Sequence, residues 1–189
     1  HTDQIQGFFD GPVDHMRGQS LLCGYIAENY AGHDMVVVSP DSGRVRVAEK
    51  WADALGGVPL AFIHKTRDPL VPNQVKSNRV VGDVKGKTCI LTDDMIDTGG
   101  TIAGAVRLLK EDGAVDVVIA ATHGVLSGPA RERLAESGAR EVIVTNTLPI
   151  GEEKLFSQLT VLSIAPLLAN TIRAVFENGS VTGLFDGSA

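Results

Sequence analysis

Five stretches of this chain place their apolar residues consecutively rather than in alternation. They are MVVVS (Met35 to Ser39), LAFIH (Leu60 to His64), TCILT (Thr88 to Thr92), VDVVIAAT (Val115 to Thr122) and EVIVT (Glu141 to Thr145). A strand with one wet face alternates. A strand that is apolar on both faces must be covered on both, and parallel sheets are buried in that way. Between and beside these runs lie segments of helical spacing: His15 to Tyr30, Arg44 to Leu55, Thr101 to Glu111 and Ala130 to Ser137. In the first of them Met16, Leu21, Leu22, Tyr25 and Ile26 recur near the helical period, and Gly56 and Gly57 stop the second. A further strand, Leu159 to Ser163, and a helix, Ile164 to Glu177, close the pattern. Arg67 to Asn78, with Pro69 and Pro72, reads as a long loop, followed by a short strand over Arg79 to Gly82. Alternating strands and helices with short connections predict an α/β fold: a parallel β-sheet flanked by helices on both faces, as one domain over residues 1–189.

In such sheets ligands gather beyond the carboxyl ends of the strands. Three polar clusters fall there: SPDSG after the first run, HKTRD after the second and DDMIDTGGT after the third. Together they define the expected site. With 189 residues, 43% hydrophobic and 21% charged, the chain is long and apolar enough to bury a core beneath them. The net charge of −6 argues against nucleic acid or an anionic membrane as the main partner, because both reward a basic face. No stretch approaches the roughly 18 apolar residues of a membrane span, and no signal peptide is visible, so a cytoplasmic location is expected. Cys23 and Cys89 share no zinc-type spacing and read as buried, reduced core residues.

DDMIDTGGT reads as strand, loop, helix. Gly99 and Gly100 let the backbone turn so that amides converge, Thr98 and Thr101 add hydroxyl donors, and the next helix presents its positive end. That combination is a cradle for a terminal phosphate, and it is not a Walker loop. Asp93 and Asp94 would repel a phosphate if they faced it. They make sense facing sugar hydroxyls or Mg²⁺, which prefers oxygen ligands. A sugar phosphate satisfies both halves of the loop.

The stretch resembles the phosphoribosyl pyrophosphate loop shared by phosphoribosyltransferases and ribose-phosphate pyrophosphokinases. Four other segments are similar to the pyrophosphokinase family alone: TDQIQGFFDGPVD (Thr2 to Asp14), SPDSGRVRVAEKWAD (Ser39 to Asp53), FIHKTR (Phe62 to Arg67) and THGVLSGPA (Thr122 to Ala130). The resemblance runs through the closing NGSVTGLF and implies a phosphoribosyltransferase-like, Rossmann-like domain that binds ribose 5-phosphate. It also implies the carboxyl-terminal part of the family's enzyme. An opening at HTDQIQG without a methionine fits an absent amino-terminal, ATP-binding domain.

The family transfers diphosphate from Mg-ATP to the C1 hydroxyl of ribose 5-phosphate, releasing AMP. Lys65 and Arg67 are two positions apart in an extended segment, so they share a face. The resemblance makes them the catalytic cations, with Arg67 also binding substrate. Asp93, Asp94, Asp97, Thr98, Gly99, Gly100 and Thr101 become the substrate loop, and His1 and Asp41 the contacts to Mg²⁺, the implied cofactor. Asp41 reads equally as a helix cap. Asp10 and Asp14 read either as an outer metal shell or as a turn and a cap, and Phe8 and Phe9 either as interface or as core. His64 and His123 are expected near the site, orienting neighbours, and His33 on the surface. The resemblance further implies phosphate or ADP regulation near Ser180 and Thr182, a flexible loop over Arg67 to Asp83 and a homo-oligomer, hexameric in the family. The rival readings are a phosphoribosyltransferase, a non-catalytic regulatory relative, and a fragment that binds ribose 5-phosphate without turning it over.

Overall fold

The computed structural model describes residues 3–67 and 75–181. Seven strands form one sheet in the order β3-β2-β1-β4-β5-β6-β7. They are β1 (Met35–Ser39), β2 (Leu60–Arg67), β3 (Val75–Val81), β4 (Thr88–Ile96), β5 (Asp116–Gly124), β6 (Glu141–Thr145) and β7 (Leu159–Leu162). All pairings are parallel except β2 with β3.

The consecutive apolar runs behave as expected. Neighbouring residues of a strand point to opposite faces, and each face has its own core. Val36, Val38, Cys89, Leu91, Val117, Ile119, Val142 and Val144 pack on one side with Ile102, Val106 and Leu109 of α3 (Gly100–Glu111) and Leu134 of α4 (Ala130–Ala135). Val37, Ile90, Val118 and Ile143 pack on the other with Leu22 and Ile26 of α1 (Gln19–Asn29) and Trp51 of α2 (Val45–Ala54). The last helix, α5 (Ala165–Phe176), follows β7 and leaves Leu168, Ile172, Val175 and Phe176 exposed. No helix among the described residues is long and apolar enough to cross a membrane.

Three expectations need correction. The loop expected through Asn78 gives way at Val75 to β3, which runs antiparallel to β2 with Phe62 opposite Val81 and Lys65 opposite Asn78. The short strand expected from Arg79 is thus the end of a longer one; an edge strand has one neighbour only and does not need a continuous apolar run, so polarity hid its first half. Second, β4 continues to Ile96 instead of ending at Thr92, because β5 runs on to Gly124 and supplies partners: Asp93 opposite Ala121, Met95 opposite His123. Third, α1 begins at Gln19 with Gly18 at its N-cap, so Asp14 does not cap it. A Cβ at Gly18 would lie 3.1 Å from the Thr122 side chain, so the helix enters hard against β5. Phe8 and Phe9 are 85% and 65% exposed and are not core.

Cys23 and Cys89 are buried and free, and burial pushes both thiols up to about 12. A thiolate is the reactive form. Ellman's reagent is therefore expected to label neither cysteine in the native chain and both after denaturation; prompt native labelling would show that this packing opens readily.

Candidate active site

The sheet order places the site. The chain passes from β1 outward to β2 and β3, then returns to lay β4 on the other side of β1. The segments that leave β1 and β4 at their carboxyl ends therefore diverge. That is the switch point where open α/β sheets hold ligands. Asp41 follows β1, and the run from Asp93 to Thr101 closes β4 and opens α3. Both line an open pocket of about 490 Å³, which Lys65 enters from β2 and Arg44 from the turn before α2.

The expected cradle, Asp97 to Thr101, takes the strand–loop–helix geometry read from the sequence. Gly99 is the N-cap of α3 with φ of +71°, the left-handed conformation that glycine tolerates best. Gly99 is buried, whereas Asp97, Thr98, Gly100 and Thr101 are exposed at the mouth. No side chain caps α3, so its first amide groups are not satisfied from within by a cap.

Two of the three carboxylates share Arg44, and the third has a partner of its own. Asp94 Oδ2 accepts from the Arg44 guanidinium at 2.9 Å, and Arg44 also lies 3.5 Å from Asp93 Oδ1. The Asp94 amide donates to Asp93 Oδ1 at 2.9 Å. Burial, and then its contact with the Asp94 carboxyl, pushes Asp93 up to about 6. Burial also raises Asp94, but hydrogen bonds involving Asp93 and Arg44 outweigh it and leave Asp94 below the ordinary range. Burial thus favours the protonated form of Asp93, and the Arg44 contact the ionised form of Asp94. By linkage, the stability that comes from the raised Asp93 is lost as pH rises through about 6. Asp97 is different: its carboxylate accepts from the Ser127 hydroxyl.

Asp41 is a cap, though of a turn and not of α2 itself. Its Oδ1 accepts from the amides of Gly43 at 2.9 Å and Arg44 at 3.2 Å, capping the short 3₁₀ turn Ser42–Arg44 that leads into α2. It also lines the pocket beside Lys65 and Asp93. His123 bonds Thr147 Oγ1 through Nδ1 at 2.8 Å, and burial lowers its pKa. With Asp93, Asp94, Arg44 and Trp51 it lines a neighbouring pocket of about 400 Å³. Asp10 and Asp14 are exposed. His1, Thr182 and the Arg67 side chain lie outside the described residues; the Arg67 backbone closes β2 opposite Val75. Among the described residues no group of three or more His, Cys, Asp or Glu is placed to hold a metal ion alone.

Arg44 is the residue that sequence reasoning missed. It stands fifty positions from Asp94, in a stretch whose helical pattern gives it no special status. Its replacement tests the electrostatics directly. In Arg44→Gln, Asp93 loses a favourable cation and is expected to titrate above about 6 in a carboxyl-carbon NMR titration. An unchanged titration would show that Arg44 is screened from the pair.

The comparisons with known proteins bear on the family and the fold. The phosphoribosyl synthetase-associated domain matches residues 65–186. The ribose-phosphate pyrophosphokinase of Mycobacterium bovis is 84% identical over all 189 residues, which cover 58% of its length. That of Corynebacterium glutamicum is 67% identical over the same span and share. The crystal structure of phosphoribosylpyrophosphate synthetase from Mycobacterium smegmatis superposes with a TM-score of 0.86 at 84% identity, covering 94% of this chain and 57% of that one. The chain thus spans under three-fifths of the length of the curated relatives it matches. With the match running from Lys65 in β2, through the whole cradle, to a point beyond α5, the chain belongs to the phosphoribosyl synthetase-associated domain family.

Proposed function

We propose that this chain is the sugar-phosphate-binding, carboxyl-terminal part of a ribose-phosphate pyrophosphokinase. The complete enzyme transfers the β,γ-diphosphoryl group of Mg-ATP to the C1 hydroxyl of ribose 5-phosphate. The observation that carries this reading is the pocket between β1 and β4. It combines an uncapped glycine-rich helix start, two adjacent carboxylates and a lysine on one rim.

Each group has a task. The amides from Asp97 to Thr101 and the hydroxyls of Thr98 and Thr101 hold the 5-phosphate at the positive end of α3. Asp93 and Asp94 accept from the ring hydroxyls. The C1 oxygen attacks the β-phosphorus, the bond from that phosphorus to the α-phosphate bridging oxygen breaks, and AMP departs. The proton of the C1 hydroxyl leaves to solvent or a nearby base. Such transfers depend on positioning and charge neutralisation. Lys65, with Arg67 beside it in sequence, supplies cations to the charge that develops on the transferred group.

Mg²⁺ fits the donors present. It commonly binds through one or two carboxylates plus substrate phosphates instead of a protein cage. Asp41 at the pocket edge suits that mode, with His1 as a second contact. When bound, the ion neutralises phosphate charge. A cytoplasmic homo-oligomer, hexameric as the resemblance implies, and regulation by phosphate or ADP belong to the same proposal.

A second reading applies to the chain by itself. In it, the chain, which spans 58% of its relatives' length, binds ribose 5-phosphate without turning it over. Titration calorimetry with ribose 5-phosphate on this chain, and an AMP-release assay on the complete protein, separate the possibilities. Binding here with AMP release there supports the proposal. Transfer of a phosphoribosyl group to a base without dependence on ATP would instead point to a phosphoribosyltransferase.

A further inference from the structure

The third carboxylate of DDMIDTGGT raises a physical problem. Asp97 is the first residue of the cradle and lies exposed at its mouth, where a free negative charge would oppose a phosphate. The structure answers from a segment with no acid or phosphate motif of its own, the turn after β5.

That turn is stitched to the cradle residue by residue. The Leu126 amide donates to the Ile96 carbonyl at 3.0 Å, and the Ser127 amide to the Asp97 carbonyl at 3.0 Å. The Ser127 hydroxyl donates to the Asp97 carboxylate. Arg133 Nη1 donates to the Thr98 carbonyl at 3.1 Å. A Cβ at Gly99 would stand 3.4 Å from both Ala130 Cα and Leu134 Cγ. Four consecutive residues, Ile96 to Gly99, are therefore backed by the segment from Leu126 to Leu134. Leu126 itself has φ of +48° and is 3% exposed. A buried leucine in the left-handed region persists only where its surroundings impose it, and such strain gathers at functional sites.

We propose that Ser127 is a positioning residue of the phosphate cradle: it holds the Asp97 carboxylate away from the bound phosphate while its own amide fixes the Asp97 backbone. The inference rests on the sugar-phosphate reading above. A charge-assisted hydrogen bond is the strong kind and suits the restraint of an exposed carboxylate. Without the hydroxyl, the carboxylate is free to swing toward the mouth and compete with the ligand's negative charge.

The test is a double-mutant cycle on this chain, read by titration calorimetry with ribose 5-phosphate. Ser127→Ala is expected to weaken binding about tenfold, the scale of one lost hydrogen bond to a charged group. Ser127→Thr, which keeps the hydroxyl, is expected to stay within about twofold. In an Asp97→Asn background the Ser127→Ala change is expected to have little further effect, because the repelling charge is gone. Equal affinity of Ser127→Ala and the parent overturns the inference. So does an equal loss in the Asp97→Asn background, which would mark Ser127 as a support of the turn alone. A parent chain that does not bind ribose 5-phosphate overturns both this inference and the reading beneath it. Parent binding with a silent Ser127→Ala overturns the inference only.

Discussion

Replacing Lys65 by Ala is expected to lower turnover of the complete protein by about 10²–10³-fold, the usual cost of removing one preorganised group that stabilises transition-state charge. Affinity for ribose 5-phosphate is expected to change little. Lys65 reaches the pocket from β2, across β1 from the loop in β4 and α3, so under the proposed function it serves the transferred group and not the 5-phosphate. The signature is a fall in kcat with little change in the dissociation constant of the sugar phosphate. Lys65→Arg is not an equivalent rescue, because a planar fork does not reproduce a compact ammonium. A Lys65→Ala enzyme with near-normal turnover would remove this lysine from the mechanism.

Gly99→Val is the second large change. Two costs add. A non-glycine residue held at φ of +71° is strained by roughly 1–2 kcal/mol, and more for a β-branched side chain. The space is also limited. The Cβ would meet Ala130 and Leu134 at ordinary contact distance, so the added γ-carbons have nowhere to go without moving α4 or the loop. Relief of either strain rotates the peptide whose amide faces the phosphate. Ribose 5-phosphate affinity is expected to drop by about 100-fold, roughly 2.7 kcal/mol, in a calorimetric titration. Gly104→Ala provides the contrast. Gly104 lies inside α3 with nothing within 4 Å of a new Cβ, and alanine there is expected to stabilise the chain by about 0.5–1 kcal/mol without touching the ligand. A Gly99→Val chain that binds as well as the parent would show that this backbone does not approach the phosphate.

The two glycines also mark how far the sequence could be read. The tight turn at Gly99 was legible because GGT between a strand and a helix has few other uses. The demand on Gly99 from Ala130 and Leu134 was not, because those residues stand about thirty positions away. The same divide runs through the acids. That Asp93 and Asp94 stand beside the glycine-rich turn is plain from their spacing to it. That Arg44 pairs with both, and that Ser127 engages Asp97, depends on contacts fifty and thirty residues apart. The first half of β3, Val75 to Asn78, escaped for a related reason: hydrophobic pattern reports what is buried, and an edge strand buries little.

The α/β architecture and the glycine-rich turn that opens α3 were legible along the chain. Both rest on local rules: consecutive apolar residues demand cover on two faces, and glycines beside a helix start free the amides that attract an anion. Only the tertiary structure decided the order of the strands, with β4 laid against β1. That order makes Asp41, Arg44, Lys65 and the cradle walls of one pocket. Strand order is set by how the two cores pack across the sheet, a competition among distant surfaces that no local pattern encodes.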